Sequence, residues 1–235
     1  YWNASDAVTL TLGNFNTFLG YEVISPAGNF NYSTSYMFSY GPFSHTGIKA
    51  DIALSDNWSV MASVMNPTDL TEFNPFGSYS LGAQLGYSND NSSLYLNFLY
   101  GDQDGKIDED QPLSTSNEGF SNGSTFQVDL TAGTSLSDAL FFGVNATYNT
   151  TSTGEFYDGS DIMDIDGDGA GFYGAAAYLQ LTTSETFAIG TRIEYFNVFN
   201  DGLSVIGLDD DGDGNVLDIT LTGRASIGNL TLITE

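Results

Sequence analysis

The chain has 235 residues, of which 41% are hydrophobic, so it is long enough to bury a sizeable core as one domain. Its 30 acidic and four basic residues give a formal net charge of −26, which leaves no basic patch for phosphate groups and argues against a nucleic-acid partner. The absence of cysteine excludes a disulfide framework and a thiolate metal site.

Along the chain, long polar connections alternate with tight turns, separated by segments of about ten residues, the length with which a tilted strand crosses a membrane. Membrane barrels have short connections on one side and long ones on the other. The long connections are 16–43, 67–76, 103–123, 150–169 and 198–215, and the turns are Ser55–Asn57, Ser88–Asn91, Ser135–Asp138, Thr183–Glu185 and Gly228–Asn229. The layout predicts one domain, 1–235, with an all-β fold: a transmembrane antiparallel up-and-down β-barrel.

The two ends of the chain read as partial strands. Tyr1 and Trp2 resemble the tail of an earlier strand, and Leu230–Glu235 the first half of another, around about ten full strands. Bacterial single-chain barrels have an even number of strands and a closed seam. We therefore expect strands at the ends of the barrel to be missing from this chain.

Apolar and polar residues alternate within the segments. In Ser93–Tyr100 one face carries Leu94, Leu96, Phe98 and Tyr100, and Thr125–Ala132 and Leu217–Ile227 repeat the pattern. A soluble sandwich would alternate in the same way. The membrane barrel is favoured by strand length, by the connection pattern and by aromatic residues near strand ends, namely Trp58, Tyr79, Tyr87, Tyr100, Phe141, Tyr148, Tyr173 and Tyr195.

If the apolar faces meet lipid, the opposite faces line the lumen. These lumen-lining residues are predicted to be Lys49, Asp51, Gln84, Asp129, Arg192, Glu194, Asp218 and Arg224. They could brace the wall as ion pairs, select solutes, or do both. Bulky residues on the same faces, Met61, Met65, Tyr95 and Tyr178, make a narrowed or plugged lumen a second possibility.

Two acidic connections resemble the first half of a calcium loop, with oxygen ligands at positions 1, 3 and 5 and glycine at position 6. The predicted ligands are Asp164, Asp166 and Asp168 in the first loop, and Asp209, Asp211 and Asp213 in the second, which could also recruit Asp218. Neither loop has glutamate at position 12, so a solvated acidic loop is the alternative. We expect bound calcium to be structural, ordering loops that have few apolar residues.

The stretch Gly13–Thr17, followed by Gly20–Val23, Asn31–Ser33 and Gly41–Gly47, resembles the beta-barrel porin-2 family of outer-membrane proteins, also called OmpL-like. The resemblance is strongest over Leu12–Asn66 and declines along the rest of the chain. It implies a barrel of about twelve strands, no enzymatic activity and a place in the outer membrane of a Gram-negative bacterium. It also implies that the first long loop folds inward or packs on the barrel rim.

The function expected from the sequence is a porin for passive diffusion of small hydrophilic solutes, with calcium-ordered surface loops. The alternatives are a non-conducting structural or partner-docking barrel and a secreted calcium-binding sandwich. The expected partners are outer-membrane lipid, the solutes, and other outer-membrane proteins or further copies of the chain. Catalysis is not expected, because His45 is the only histidine and it lies within the porin-like stretch.

Overall fold

The computed structural model describes residues 1–108, 119–203 and 213–235, and strands dominate these ranges. The strands are β1 (Trp2–Ser5), β2 (Val8–Asn16), β3 (Ser44–Ala53), β4 (Trp58–Met65), β5 (Ser80–Ser88), β6 (Ser92–Asp102), β7 (Phe120–Ser121), β8 (Ser124–Ser135), β9 (Leu140–Thr151), β10 (Glu155–Tyr157), β11 (Ile162–Asp164), β12 (Ala170–Ser184), β13 (Phe187–Phe199), β14 (Gly214–Ile227) and β15 (Leu230–Thr234). The described residues also include a 3-10 turn, Pro26–Gly28, and one α-helical turn, α1 (Tyr36–Ser39).

Twelve of these strands form one antiparallel sheet, in which each strand pairs with the next one along the chain once β7, β10 and β11 are set aside. Those three short strands form a separate small sheet. The predicted all-β, up-and-down antiparallel arrangement with about twelve strands is therefore confirmed. Within the described ranges, β1 pairs with β2 alone and β15 with β14 alone.

The connections differ sharply between the two ends of the sheet. Each of the five predicted tight turns joins two directly paired strands, and we call this the turn end. The long connections lie at the other end, which we call the loop end. The small sheet of β7, β10 and β11 is part of these connections. Several predicted loop boundaries shift by a few residues, because strands such as β9 and β13 continue past them.

The outward face of the sheet is apolar and exposed. Leu81, Ile193 and Leu221 are 54%, 45% and 70% exposed, whereas Asn97 and Asp129 on the inward face are each 1% exposed. Hydrophobic residues that stay exposed across a whole sheet face indicate an apolar surrounding. Soluble sandwiches bury such faces against each other, so this alternation supports the barrel.

Aromatic residues lie near both ends of the outward face. Trp58 packs on Tyr87 at the turn end with ring centroids 5.0 Å apart, and Tyr173 packs near Tyr195 at the loop end at 6.3 Å. Phe141 is the exception among the predicted girdle residues. It has the same parity as the inward-facing Gly143 on β9 and lines an internal cavity. The prediction for Phe141 was therefore wrong, because nearness to a strand end does not reveal the face.

In the described parts of the chain, no helix has the length and apolar character required to cross a membrane.

Candidate functional site

The connection between β2 and β3, residues 17–43, lies inside the curved sheet, and we call it the inner segment. Its Gly20 amide donates to Asp129 on β8 at 2.9 Å, while the Tyr36 and Met37 amides donate to Glu194 on β13, each at 2.8 Å. A segment that contacts both β8 and β13 is enclosed by the wall between them. The inward folding implied by the family resemblance is thus confirmed.

The inner segment runs from the loop end to the turn end and back. Near its start, Thr17 bonds to His45 Nε2 at 3.0 Å, and Tyr21 stacks on Tyr178 with centroids 4.2 Å apart. At the turn end, the Asn29 carbonyl accepts from Arg224 at 3.3 Å. On the return, Tyr36 and Tyr40 stack on Phe196, which is completely buried.

Carboxylates hold the backbone of the inner segment, mostly by accepting its amide N–H groups. Besides Asp129 and Glu194, Glu235 accepts from the Tyr32 and Ser33 amides at 2.7 and 3.0 Å. Asp69 accepts from Phe43 at 2.8 Å, and Glu22, itself in the segment, from the Ser35 amide at 2.8 Å. Hydrogen bonds to an ionised acceptor are roughly twice as strong as neutral ones. Apart from Glu22, these carboxylates lie outside the segment and bind its backbone, so they hold the segment largely independently of its own side chains.

Arg192 anchors the segment electrostatically. Its Nη1 donates to Glu22 Oε1 at 3.0 Å and to the Ser33 carbonyl at 2.7 Å, and its Nη2 donates to Asp218 at 3.1 Å. The side chains of Arg192 and Glu22 are each 3% exposed. Removing one partner from such a buried pair leaves an uncompensated charge and costs about 3–5 kcal/mol.

The structure places all eight predicted lumen residues on the inward face. Asp129, Arg192, Glu194 and Arg224 contact the inner segment directly, and Gln84 approaches the Phe18 carbonyl at 3.5 Å. Asp218 acts through Arg192, whereas Lys49 and Asp51 pair with each other at 2.9 Å. The ion pairs of Arg192 join neighbouring wall strands to each other and to the segment, and a role of these residues in selecting solutes stays a prediction.

Glycines on the inward face make room for side chains of the inner segment. A Cβ built on Gly143 would lie 2.5 Å from the Tyr21 hydroxyl, and one on Gly82 would lie 2.6 Å from Phe18. The same relation links Gly174 to Met37 at 2.8 Å, and Gly190 to Phe30 at 2.5 Å. Wall and segment are therefore sterically complementary at four places.

Three kinds of space surround the inner segment. At the loop end are two cavities of about 500 and 240 Å³, which form a vestibule, and at the turn end is one of about 310 Å³. Between Leu19–Gly20, Met37–Pro42 and the wall lies a gap of about 10 Å³, which we call the waist. That is roughly the volume that one water molecule occupies. The wall of the waist is polar, formed by Gln127, Asp129, Asn145 and Thr147.

The vestibule is acidic, whereas in the interior the acids are paired with basic side chains or backbone amides. Asp104, Asp168 and Asp201 line the larger cavity and Asp69 the smaller one, and the described lining residues of both include no lysine or arginine. The small outer sheet places Glu155 3.6 Å from Lys106, which is 82% exposed. The potential at the loop end is therefore negative.

The predicted calcium ligands fall in three different environments. Asp164 ends β11, Asp166 and Asp168 follow it, and no group of three or more acidic or histidine side chains suited to a metal forms among the described residues. Asp213 accepts from the Asp201 amide at 2.8 Å, and Asp218 pairs with Arg192 on the inner wall. Asp209 and Asp211 lie outside the described residues. Calcium binding at both loops stays a prediction.

The whole chain, residues 1–235, matches the family described as "Putative beta-barrel porin-2, OmpL-like". It belongs to this family. Membership makes the twelve-stranded sheet a porin-type β-barrel wall of the outer membrane, with its apolar face toward lipid.

Two crystal structures are similar to this chain at 12% sequence identity. One is of a double variant of OccD1 (OprD), with a TM-score of 0.36, covering 94% of this chain and 65% of that one. The other is of the outer membrane protein OprD from Pseudomonas aeruginosa, with a TM-score of 0.37, covering 93% and 64%. This chain thus spans about 65% of the length of the structures it matches. No curated protein matches it.

Sequence reasoning missed several residues that hold the inner segment, namely Glu22, Ser35, Asp69 and Glu235. A signal for Ser35 existed, because serine before a short helical turn is a typical N-cap, and its hydroxyl accepts from the Phe38 amide at 3.1 Å. The glycines on inward positions of otherwise bulky strands were a second signal of close approach. The three missed acids carried no comparable signal, because nothing local distinguishes them from the other acidic residues among the 30 in the chain.

Proposed function

We propose that this porin-family barrel admits small hydrophilic solutes by passive diffusion through a lumen that the inner segment constricts. The observation that carries the proposal is the polar inner wall, where Gln127, Asp129, Asn145 and Thr147 face the waist. A wall of amide, hydroxyl and carboxylate groups replaces part of the hydration shell of a polar solute. Because the inner segment contacts β8 on one side and β13 on the other, we expect movement of this segment to be the step that admits larger solutes.

The vestibule supports a preference for cations. Four aspartates line its two cavities, and a rim of one sign concentrates ions of the opposite sign. The effect reaches about 10 Å at 0.1 M salt and shrinks to about 3 Å at 1 M. We expect a preference for potassium over chloride that weakens as salt rises.

Calcium would order the acidic connections of the vestibule. Asp164, Asp166 and Asp168 have the ligand type and spacing of a calcium loop, and so do Asp209, Asp211 and Asp213. Extracellular calcium modules bind with dissociation constants of about 10⁻⁴ to 10⁻³ M. Binding would neutralise part of the vestibule charge and lower its preference for cations.

A second candidate function is a non-conducting barrel that supports or docks a partner in a larger outer-membrane or cell-surface complex. The observation that favours it is the path of the inner segment, which crosses the interior twice and is held by carboxylates at both ends. A segment that crosses the interior twice obstructs more of the lumen than a loop that narrows it at one level. The two candidates predict opposite electrical behaviour.

Single-channel recording of the detergent-purified chain in a planar bilayer separates the candidates. The informative variant replaces 18–42 with a short Gly-Ser linker, which is feasible because the Thr17 amide donates to the Phe43 carbonyl at 2.9 Å. A matched control replaces the exposed turn 158–161 between β10 and β11 in the same way. The linker variant removes the contacts with Asp129, Glu194 and Glu235 while keeping the wall strands.

Discrete openings of the wild type and the control, with larger ones from the linker variant, would support the porin. Silence of the wild type with openings from the linker variant would establish the plugged barrel instead. Silence of all three inserted proteins would contradict solute diffusion through this interior. Selectivity is read from the reversal potential in a potassium chloride gradient at low and at high salt.

A further inference from the structure

Arg224 differs from the other cations of the chain in having no carboxylate at ion-pair distance among the described residues. Lys49, Lys106 and Arg192 each lie at that distance from an acid. The one hydrogen bond that Arg224 makes to the described residues goes from Nη1 to the Asn29 carbonyl at 3.3 Å. A guanidinium has five N–H donors, so most of those on Arg224 are available. In a chain of net charge −26, an unpaired inward guanidinium is unexpected.

Arg224 lies in the wall of the turn-end cavity of about 310 Å³. Gln180 lines the same cavity, and its side-chain amide makes no hydrogen bond to the described residues, which leaves a second donor facing the space. Tyr21, Phe30, Phe141 and Tyr178 supply flat apolar surfaces around it. Cavities that combine aromatic walls with a few directed polar groups are typical of small-molecule sites, and a volume near 300 Å³ is at the lower end of their range.

The acid in this cavity already has a cationic partner. Glu22 Oε1 accepts from Arg192, and Oε2 accepts from both the amide and the hydroxyl of Ser35. The charge of Glu22 is therefore compensated by Arg192, whereas Arg224 is the cationic group of the lining that has no ion-pair partner among the described residues. That difference suits an anionic ligand better than an amine.

We propose that the turn-end cavity binds a small planar carboxylate, with the carboxylate on Arg224 and Gln180 and the planar body between the aromatic side chains. Phe141, Gln180 and Arg224 lie within a few residues of the tight turns, which places the cavity at the turn end and away from the acidic vestibule. Short turns of outer-membrane barrels face the periplasm. That this cavity lies on the path of solutes rests on the proposed function. Binding of the carboxylate does not, because binding requires no conduction.

The test is isothermal titration of the folded, detergent-solubilised full chain with nicotinate and with its neutral isostere nicotinamide. Arg224→Gln removes the cation, and Lys106→Gln is the matched control, because it changes the net charge equally at a side chain that is 82% exposed in the outer connection. Heat-modifiable migration in electrophoresis shows whether each variant has folded. Arg224→Lys keeps the charge if the glutamine variant fails to fold.

We expect nicotinate to bind the wild type and Lys106→Gln alike, to bind Arg224→Gln about tenfold more weakly or worse, and nicotinamide to bind none of them measurably. Equal binding of nicotinate to Arg224→Gln and wild type would overturn the proposal, and so would equal binding of the two probes. Absence of heat with nicotinate on folded wild type would overturn it as well. A silent bilayer recording would count against the proposed function only, whereas these titrations test the binding of the carboxylate.

Discussion

Glu194 shows how a single side chain positions the segment that fills this barrel. It is completely buried on β13, and each of its two carboxylate oxygens accepts one backbone amide, those of Tyr36 and Met37 at the start of α1. An ionised group can be buried there because both oxygens are satisfied. The free amides at the start of a helical turn are the donors that a carboxylate best complements.

Replacing Glu194 with glutamine should loosen the inner segment, because the amide has only one acceptor oxygen and its NH₂ group meets a backbone N–H. The loss of a hydrogen bond to a charged group costs about 1.5–3 kcal/mol, or about ten- to a hundredfold in local opening. Hydrogen exchange of the peptides covering Tyr36 and Met37 measures it. Glu185→Gln, at an exposed turn, removes the same charge and should leave exchange unchanged.

Glu235 gives the inner segment a contact that depends on a charged acceptor. Its side chain accepts from the Tyr32 and Ser33 amides at 2.7 and 3.0 Å and from the Thr222 hydroxyl at 3.0 Å. Hydrogen bonds to a charged group contribute about 1.5–3 kcal/mol each, so these bonds hold the middle of the segment against the wall.

Glu235→Gln should therefore speed exchange of the Tyr32 and Ser33 amides about tenfold or more at neutral pH, because the amide has one acceptor oxygen where the carboxylate has two. The exposed Glu185→Gln variant is again the control. Unchanged protection of these amides in Glu235→Gln would show that Glu235 does not hold the segment.

At the scale of the strands, the four inward glycines couple the wall to the segment. β5, β9, β12 and β13 each carry one glycine opposite a bulky side chain of the inner segment. The pairing of Gly143 with Tyr21 is the simplest to test, since all three atoms nearest to an added Cβ belong to the Tyr21 ring and hydroxyl. An added methyl group there disturbs the segment without touching strand backbone.

Gly143→Ala should displace Tyr21 from its stack on Tyr178 and destabilise the docked segment by about 1–3 kcal/mol, the usual cost of overpacking. Faster exchange across the peptide containing Tyr21 and lower thermal stability in detergent would show it. Gly223→Ala is the control, because an added Cβ on β14 would meet only Thr234 Cγ2 closely, at 3.3 Å. Equal behaviour of the two variants would argue against steric complementarity.

Strands were predictable from the sequence because each carries a period-two pattern, and tight turns because Gly, Asn, Asp and Ser mark them. Ser93–Tyr100 became β6 with its predicted faces, extended by a residue or two at each end. The inner segment was predictable only as a porin-like loop, because several contacts that fix its path are made with strands more than 100 residues away. Local patterns also gave the wrong face for Phe141, whose neighbours alternate too weakly to fix the parity.

The whole molecule separates its charges by position. Inside the wall, acids are paired with Arg192, Lys49 or backbone amides, whereas acids of the outer connections surround the vestibule without lysine or arginine among its described lining residues. Self-repulsion within the outer connections is the physical reason to expect a divalent cation there. Each bound calcium would offset part of this repulsion.

Titration of the purified barrel with millimolar calcium should release or absorb heat, with two binding events if both predicted loops bind. Changing Asp164, Asp166 and Asp168 together to asparagine should remove one event. Changing the exposed turn residues Asp56, Asp90 and Asp138 in the same way alters the net charge equally and should remove none. No heat in the wild type would exclude a calcium role in the loops.

The contacts of the inner segment also set an order of assembly. The segment follows the second strand, yet the partners that fix its return path lie on β13, β14 and at Glu235, up to 203 residues further along the chain. Contacts so distant in sequence form late, because the intervening chain must be ordered first. During biogenesis we therefore expect the interior to stay open and hydrated while strands are added, so that the inner segment settles only after strands that are synthesised later.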